Sequence, residues 1–236
     1  MVEDPKRQGH GTAFLLAGNN GCYALTNFHV AFGDNPSSTQ QIVTISFGQG
    51  NVNSFEAKIP ARAVENGWAS LPPGKERHCG DDWALLRLDT CAGDRFGGFE
   101  MSDLDGDPTN IFDMKVSMAG YPDFIDYRKG VAYEAVCPGH AGTFEAMGEV
   151  RDNELRHRCT ALNYSSGSPL LVTTNGTVKV AAMNCGDVAF PGDNEATVRS
   201  LGDHTRFNTA VPMTAIADRI QKLIAADRGQ RHVSSD

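Results

Sequence analysis

Apolar and polar positions alternate in short runs along most of the chain, as in Gln41-Ile42-Val43-Thr44-Ile45-Ser46-Phe47. Alternation of period two marks strands with one buried face. It predicts strands at residues 12–16, 22–26, 41–47, 55–63 and 83–88 in the first half. In the second half it predicts them at 114–120, 131–137, 142–150, 154–160, 170–174 and 177–183. Asn19-Asn20-Gly21 and Asn175-Gly176 separate neighbouring runs and are hairpin signals, since Asn and Gly tolerate the positive φ such turns require. This is the pattern of an all-β sandwich or barrel. A helix is expected at the end of the chain, where Pro212 precedes Ile216, Ile220, Leu223 and Ile224 at i, i+4, i+7 and i+8 on one face. Residues 228–236 then read as a mobile tail, and the polar, Gly-rich stretch 186–204 as a surface loop. The segment 103–108, Asp-Leu-Asp-Gly-Asp-Pro, resembles part of a calcium loop, but its glycine comes too early and no glutamate closes it. It reads as a solvated linker between two halves.

Composition narrows the class without changing it. A chain of 236 residues with 40% hydrophobic positions can bury a large core, and 25 Gly with 11 Pro fit many turns. The net charge of −8 argues against nucleic acid or an anionic membrane as the main partner. No run reaches the ~18 apolar residues of a membrane-spanning helix, and the charged start Met1-Val2-Glu3-Asp4 lacks the apolar core of a signal peptide. The expectation is a cytoplasmic protein if Met1 is the native start, or a secreted or periplasmic one if an export signal has been removed. The six cysteines contain no C-x-x-C spacing, and His78-Cys79 and His157-x-Cys159 are only fragments of metal motifs. No metal and no cofactor are expected. Cys79 and Cys91 flank the strand at 83–88, which would hold them too far apart for a mutual bridge.

Three segments carry chemistry. Tyr164-Ser165-Ser166-Gly167-Ser168-Pro169 suits a tight turn that presents a hydroxyl and aims backbone N–H groups at one point. Leu25-Thr26-Asn27-Phe28-His29-Val30 and Asp82-Trp83-Ala84-Leu85-Leu86-Arg87-Leu88 precede it. A serine hydroxyl attacks at neutral pH only when a base takes its proton, and imidazole is suited to that task. The order His, Asp, Ser is that of chymotrypsin-type hydrolases.

Together with Gly11-Thr12-Ala13-Phe14-Leu15 and Met118-Ala119-Gly120-Tyr121-Pro122, these segments resemble trypsin/chymotrypsin-fold serine proteases. The nearest branches are bacterial glutamyl-endopeptidase-like and HtrA-like peptidases, and the resemblance spans residues 11–224. It implies two six-stranded Greek-key β-barrels, residues 8–105 with His29 and Asp82 and residues 112–211 with Ser166, closed by a helix at 212–227. It also implies a polypeptide substrate and leaves a regulatory protein partner open. Ser166 would be the nucleophile, His29 the base and Asp82 its orienting acid, with Asp81 the fallback. The other six histidines (His10, His78, His140, His157, His204 and His232) are expected on loops or the surface.

Backbone N–H groups of Tyr164 and Ser166 would bind the oxyanion, although relatives usually carry glycine where this chain has Tyr164. Ser165 stands where trypsin-like zymogens keep an activating aspartate, so no N-terminal activation switch is expected. Thr160, Ala161, Met183, Asn184 and Cys185 would line a pocket of low charge for a small or medium apolar side chain, with Asp187 within reach to favour a basic one. The resemblance suggests a Cys159–Cys185 disulfide; six reduced thiols are the competing reading. The sequons at Asn163 and Asn175 read as accidental and the source as bacterial. The competing functional reading is a catalytically silent module of the same fold that binds peptide or protein.

Overall fold

The computed structural model describes residues 2–4, 9–33, 42–47, 56–68, 71, 78–121, 132–134, 137, 154–157, 159–161, 164–187 and 208–233. The strand expected at 142–150, most of the loop expected at 186–204, Pro122, Asn163, His140 and His204 lie outside the described residues.

The strands are β1 (Val2–Asp4), β2 (Gly9–Gly11), β3 (Phe14–Leu15), β4 (Tyr23–Thr26), β5 (Ile42–Phe47), β6 (Ala57–Asn66) and β7 (Ala84–Leu88) in the first half. They form one antiparallel sheet in the order β2-β1-β5-β6-β7-β4-β3. The second half holds β8 (Glu100–Met101), β9 (Ser117–Gly120), β10 (Ala132–Glu134), β11 (Leu155–His157), β12 (Pro169–Thr174), β13 (Thr177–Asp187) and β14 (Asn208–Pro212). These form a second sheet in the order β10-β9-β12-β13-β14-β11, with β8 parallel to β13. This is a chymotrypsin-like two-barrel architecture. Each sheet has seven strands among the described residues where six were expected. The additions are β1, which pairs with β2 and β5, and β8, which docks on β13 as the chain passes between halves.

Three helices are described: α1 (Phe28–Phe32), α2 (Gly93–Phe96) and α3 (Met213–Val233). Along α3 the expected face is inward, with Ile216, Ile220 and Ile224 buried. The helix runs beyond residue 227, where the apolar pattern ends. Neither proline nor a capping turn interrupts the backbone hydrogen bonds before Val233. Asp227 fixes it to the first sheet, accepting from Tyr23 Oη at 2.7 Å and from Arg87 at 2.8 Å.

Among the described residues the core has three parts. One lies within the first sheet around Phe28, Phe32, Val43, Ile45 and Leu86. Another lies on the second sheet around Leu155, Leu170, Val172 and Ala182. The third joins them: Phe14, Leu25, Trp83 and Leu85 from the first sheet meet Val180, Met183 and Val211 from the second, under Ile216 and Ile220 of α3. The segment read as a solvated linker is anchored as well, for Leu104 within it and Ile111 just after it are buried in the second-sheet cluster. Ser102 N–H also bonds to the Val180 carbonyl at 2.7 Å.

Two disulfides are formed, Cys22–Cys91 and Cys137–Cys159. The Cys159–Cys185 pairing is therefore corrected. Cys159 lies beside Cys137 in the second-sheet core, while Cys185 is a buried free thiol against Asp82. The reading of six reduced thiols falls with it. Cys22 and Cys91 meet because β4 and β7 are antiparallel neighbours, which brings the entry of one beside the exit of the other.

Candidate active site

The site is built where the first sheet's β4–α1 and β7 segments face the second sheet's β12–β13 hairpin. His29 sits on α1, directly after β4, with Asn27 in extended conformation at the helix's N-terminal boundary. The Asn27 side chain donates to the Asp82 carbonyl at 2.7 Å, tying the start of α1 to the approach of β7. Asp82 is buried, and its carboxylate faces His29 twice. One oxygen accepts from the His29 backbone N–H at 3.0 Å, and the other lies 2.5 Å from His29 Nδ1. A carboxylate so placed fixes the ring's orientation and keeps the proton on Nδ1, leaving Nε2 as the basic nitrogen. Asp81, the alternative acid, lies in the 3-10 turn Cys79–Asp81 just before.

Ser166 lies on the loop entering β12, and its position is set mainly by Thr12. The Thr12 N–H donates to the Ser166 carbonyl at 2.8 Å, and the Thr12 hydroxyl donates to the Tyr164 carbonyl at 3.3 Å. Thr26 in turn donates to the Thr12 carbonyl at 2.7 Å, so the strand leading to His29 and the loop bearing Ser166 share one anchor. Gly167 has φ of +83°, and a Cβ there would collide with the Thr12 carbonyl, so both conformation and space require glycine.

Cys185 links the two halves of the site. Ladder pairing passes from Asn184 opposite Ala210 to Gly186 opposite Thr209, which makes Cys185 the extra residue of a β-bulge. Bulges re-aim side chains and free a backbone group from the ladder. Here the Cys185 carbonyl accepts from Ser166 Oγ at 2.9 Å, and the thiol lies 3.4 Å from Asp82 Oδ2. Ser166, Cys185, Asp82 and His29 thus form one continuous chain of contacts.

Tyr164 occupies the left-handed region with φ of +69°. That is the conformation whose avoidance by tyrosine made the oxyanion loop questionable in the sequence. A non-glycine residue there is strained by about 1–2 kcal/mol, a pattern that gathers at functional loops.

Of the residues expected to line a pocket, Thr160 is exposed and Ala161 partly buried. Met183 is corrected: it is fully buried in the core shared by both sheets and α3. Strand alternation turns its neighbour Asn184 to the opposite face. Asn184 is also buried, and its amide donates to the Ser165 carbonyl at 2.9 Å, bracing the residue before Ser166. Its oxygen faces His157 Nε2 at 2.9 Å. His157 was expected on a loop or the surface, but it points inward from β11 and is nearly inaccessible to solvent. Burial lowers its pKa to about 4, only partly offset by the Asn184 bond, so the ring is neutral. A readable signal existed: Leu155, His157 and Cys159 recur at period two, opposite Arg156.

A family model for the trypsin-like peptidase domain matches residues 11–180, a span that includes His29, Asp82 and Ser166. The chain belongs to this family. No curated protein matches it.

Proposed function

We infer that the protein is a serine endopeptidase acting through His29, Asp82 and Ser166. The observation that carries this reading is the 2.5 Å contact of Asp82 with His29 Nδ1, joined through Cys185 to the Ser166 hydroxyl, in a chain of the trypsin-like peptidase family. Ser166 Oγ turns from the Cys185 carbonyl toward His29 Nε2 when substrate binds. It attacks the scissile carbonyl carbon as its proton passes to His29. Backbone N–H groups of Tyr164 and Ser166 receive the oxyanion, a contribution of about 10²–10³ in rate for each donor. Collapse expels the amine with the proton from His29 and leaves an acyl-enzyme, which water hydrolyses with His29 again the base. A polypeptide is the substrate class.

Labelling with a fluorophosphonate tests this. The wild type should react, and Ser166→Ala and His29→Ala should not. A well-folded wild type that does not react supports the second reading, a silent peptide- or protein-binding module. The strained Tyr164 backbone favours that alternative, because the oxyanion loop carries a residue poorly suited to its conformation.

A further inference from the structure

The two cysteines outside the disulfides are neighbours, one from each half of the chain, and they meet beside the acid of the candidate triad. Cys79 is partly exposed in the 3-10 turn leading to Asp82, while Cys185 is buried on the β13 bulge. Cys185 Sγ lies 3.8 Å from the Cys79 carbonyl and 3.4 Å from Asp82 Oδ2. The Cys79 carbonyl also accepts the Asp82 N–H at 2.8 Å, so the turn bearing one thiol is tied directly to the acid that the other thiol touches. The Cys185 thiol is held well above its ordinary pKa, first by a hydrogen bond with the Cys79 side chain and then by burial, with the Asp82 charge adding to both. Cys185 therefore remains a protonated donor, and Cys79 is the thiol that solvent reaches first. The other four cysteines are paired in disulfides, so Cys185 is the one thiol left to pair with Cys79.

We propose that Cys79 and Cys185 form a peroxide-sensitive modification site, whose product is a disulfide joining the two sheets beside Asp82. The Cys79 sulfur attacks one oxygen of a hydroperoxide, the O–O bond breaks, and the departing oxygen takes up the proton the thiol gives up, leaving as water or an alcohol. Cys79 becomes a sulfenic acid. The Cys185 sulfur then attacks the Cys79 sulfur, the S–O bond breaks, and the hydroxyl leaves as water with the Cys185 proton. Two thiols lose two electrons to one peroxide, and a dithiol reverses the change. Cys22–Cys91 lies within the first half of the chain and Cys137–Cys159 within the second, so this bond would be the first disulfide between the sheets among the described residues.

The bond also alters the site. A disulfide has no S–H, so Asp82 loses the Cys185 donor. Closing the sulfurs to about 2.05 Å also draws Cys185, whose carbonyl holds Ser166, toward Cys79. The effect on turnover rests on the serine-peptidase reading, whereas formation of the bond does not.

The test uses the full chain treated with hydrogen peroxide, blocked with iodoacetamide and digested without reduction. Mass spectrometry should find a Cys79–Cys185 linked peptide that dithiothreitol removes and that Cys79→Ser lacks. Fluorophosphonate labelling of the oxidised wild type should slow by about tenfold or more, as expected for loss of a hydrogen bond to a charged group. Labelling of Cys79→Ser should be indifferent to peroxide, which separates the effect from methionine oxidation. Recovery of both cysteines as alkylated peptides after peroxide would overturn the site, whatever the labelling shows. A linked peptide with unchanged labelling would overturn the coupling to Asp82. Absence of labelling in the untreated wild type would instead count against the peptidase reading, with the peptide map still deciding the bond.

Discussion

His157 Nε2 lies 2.9 Å from Asn184 Oδ1, and Asn184 passes the constraint on by donating to the carbonyl of Ser165. A buried neutral histidine is thereby used as a fixed donor behind the nucleophile loop. Its pKa of about 4 lies below the 6.5 of an unfolded chain, so between those values the unfolded chain binds a proton that the folded one does not. The stabilisation is complete above pH 6.5 and is lost as pH falls toward 4. At 1.36 kcal/mol per pKa unit this amounts to about 3 kcal/mol. Urea unfolding at pH 7 and pH 4.5 should show the loss in wild type. His157→Gln should show a smaller one. Equal pH slopes for the two proteins would count against a neutral His157.

Tyr164 provides a second measurement. Tyr164→Gly removes the left-handed strain and should stabilise the protein by up to about 1 kcal/mol, after the greater unfolded-state entropy of glycine is set against it. If the loop forms the oxyanion site, fluorophosphonate labelling of this variant should be at least as fast as that of wild type. Slower labelling would mean that the tyrosine side chain itself holds the loop.

On α3, Asp227 accepts from both Tyr23 and Arg87. Asp227→Ala leaves Arg87 without this partner and should cost about 2 kcal/mol, the scale of hydrogen bonds to a charged group. Thermal denaturation would read this as a lower Tm. Because Asp227 is remote from His29 and Ser166 in the chain of contacts, labelling at low temperature should be unchanged.

Much of this architecture was legible because its signals are local. The Asn175-Gly176 turn sets the β12–β13 pairing, and alternation around Ile42–Phe47 yields β5. His29, Asp82 and Ser166 stood out because each lies in a short segment of recognisable order. What was missed depends on contacts distant in sequence. Cysteine partners are chosen by strand neighbours, so Cys22–Cys91 could not be read from spacing. β14 escaped because Asn208–Pro212 is short and ends in proline, and its place is set by pairing with β13. The bulge at Cys185 has no sequence mark at all, yet it determines where that thiol and carbonyl point. Met183 was misplaced because its burial is decided by packing between the two sheets and α3, which its own segment does not show.

The core shared between the sheets has a consequence for how the chain can be divided. Trp83 and Leu85 find part of their packing on Met183 and Val211, and α3 covers both contributions. Either half made alone would leave this apolar seam open to water and prone to self-association. Mixed together, the two pieces have a reason to find each other, since the surface each leaves exposed is the one the other is shaped to cover. A backbone cut in the passage between the halves should therefore yield a nicked protein that stays assembled and unfolds in one step.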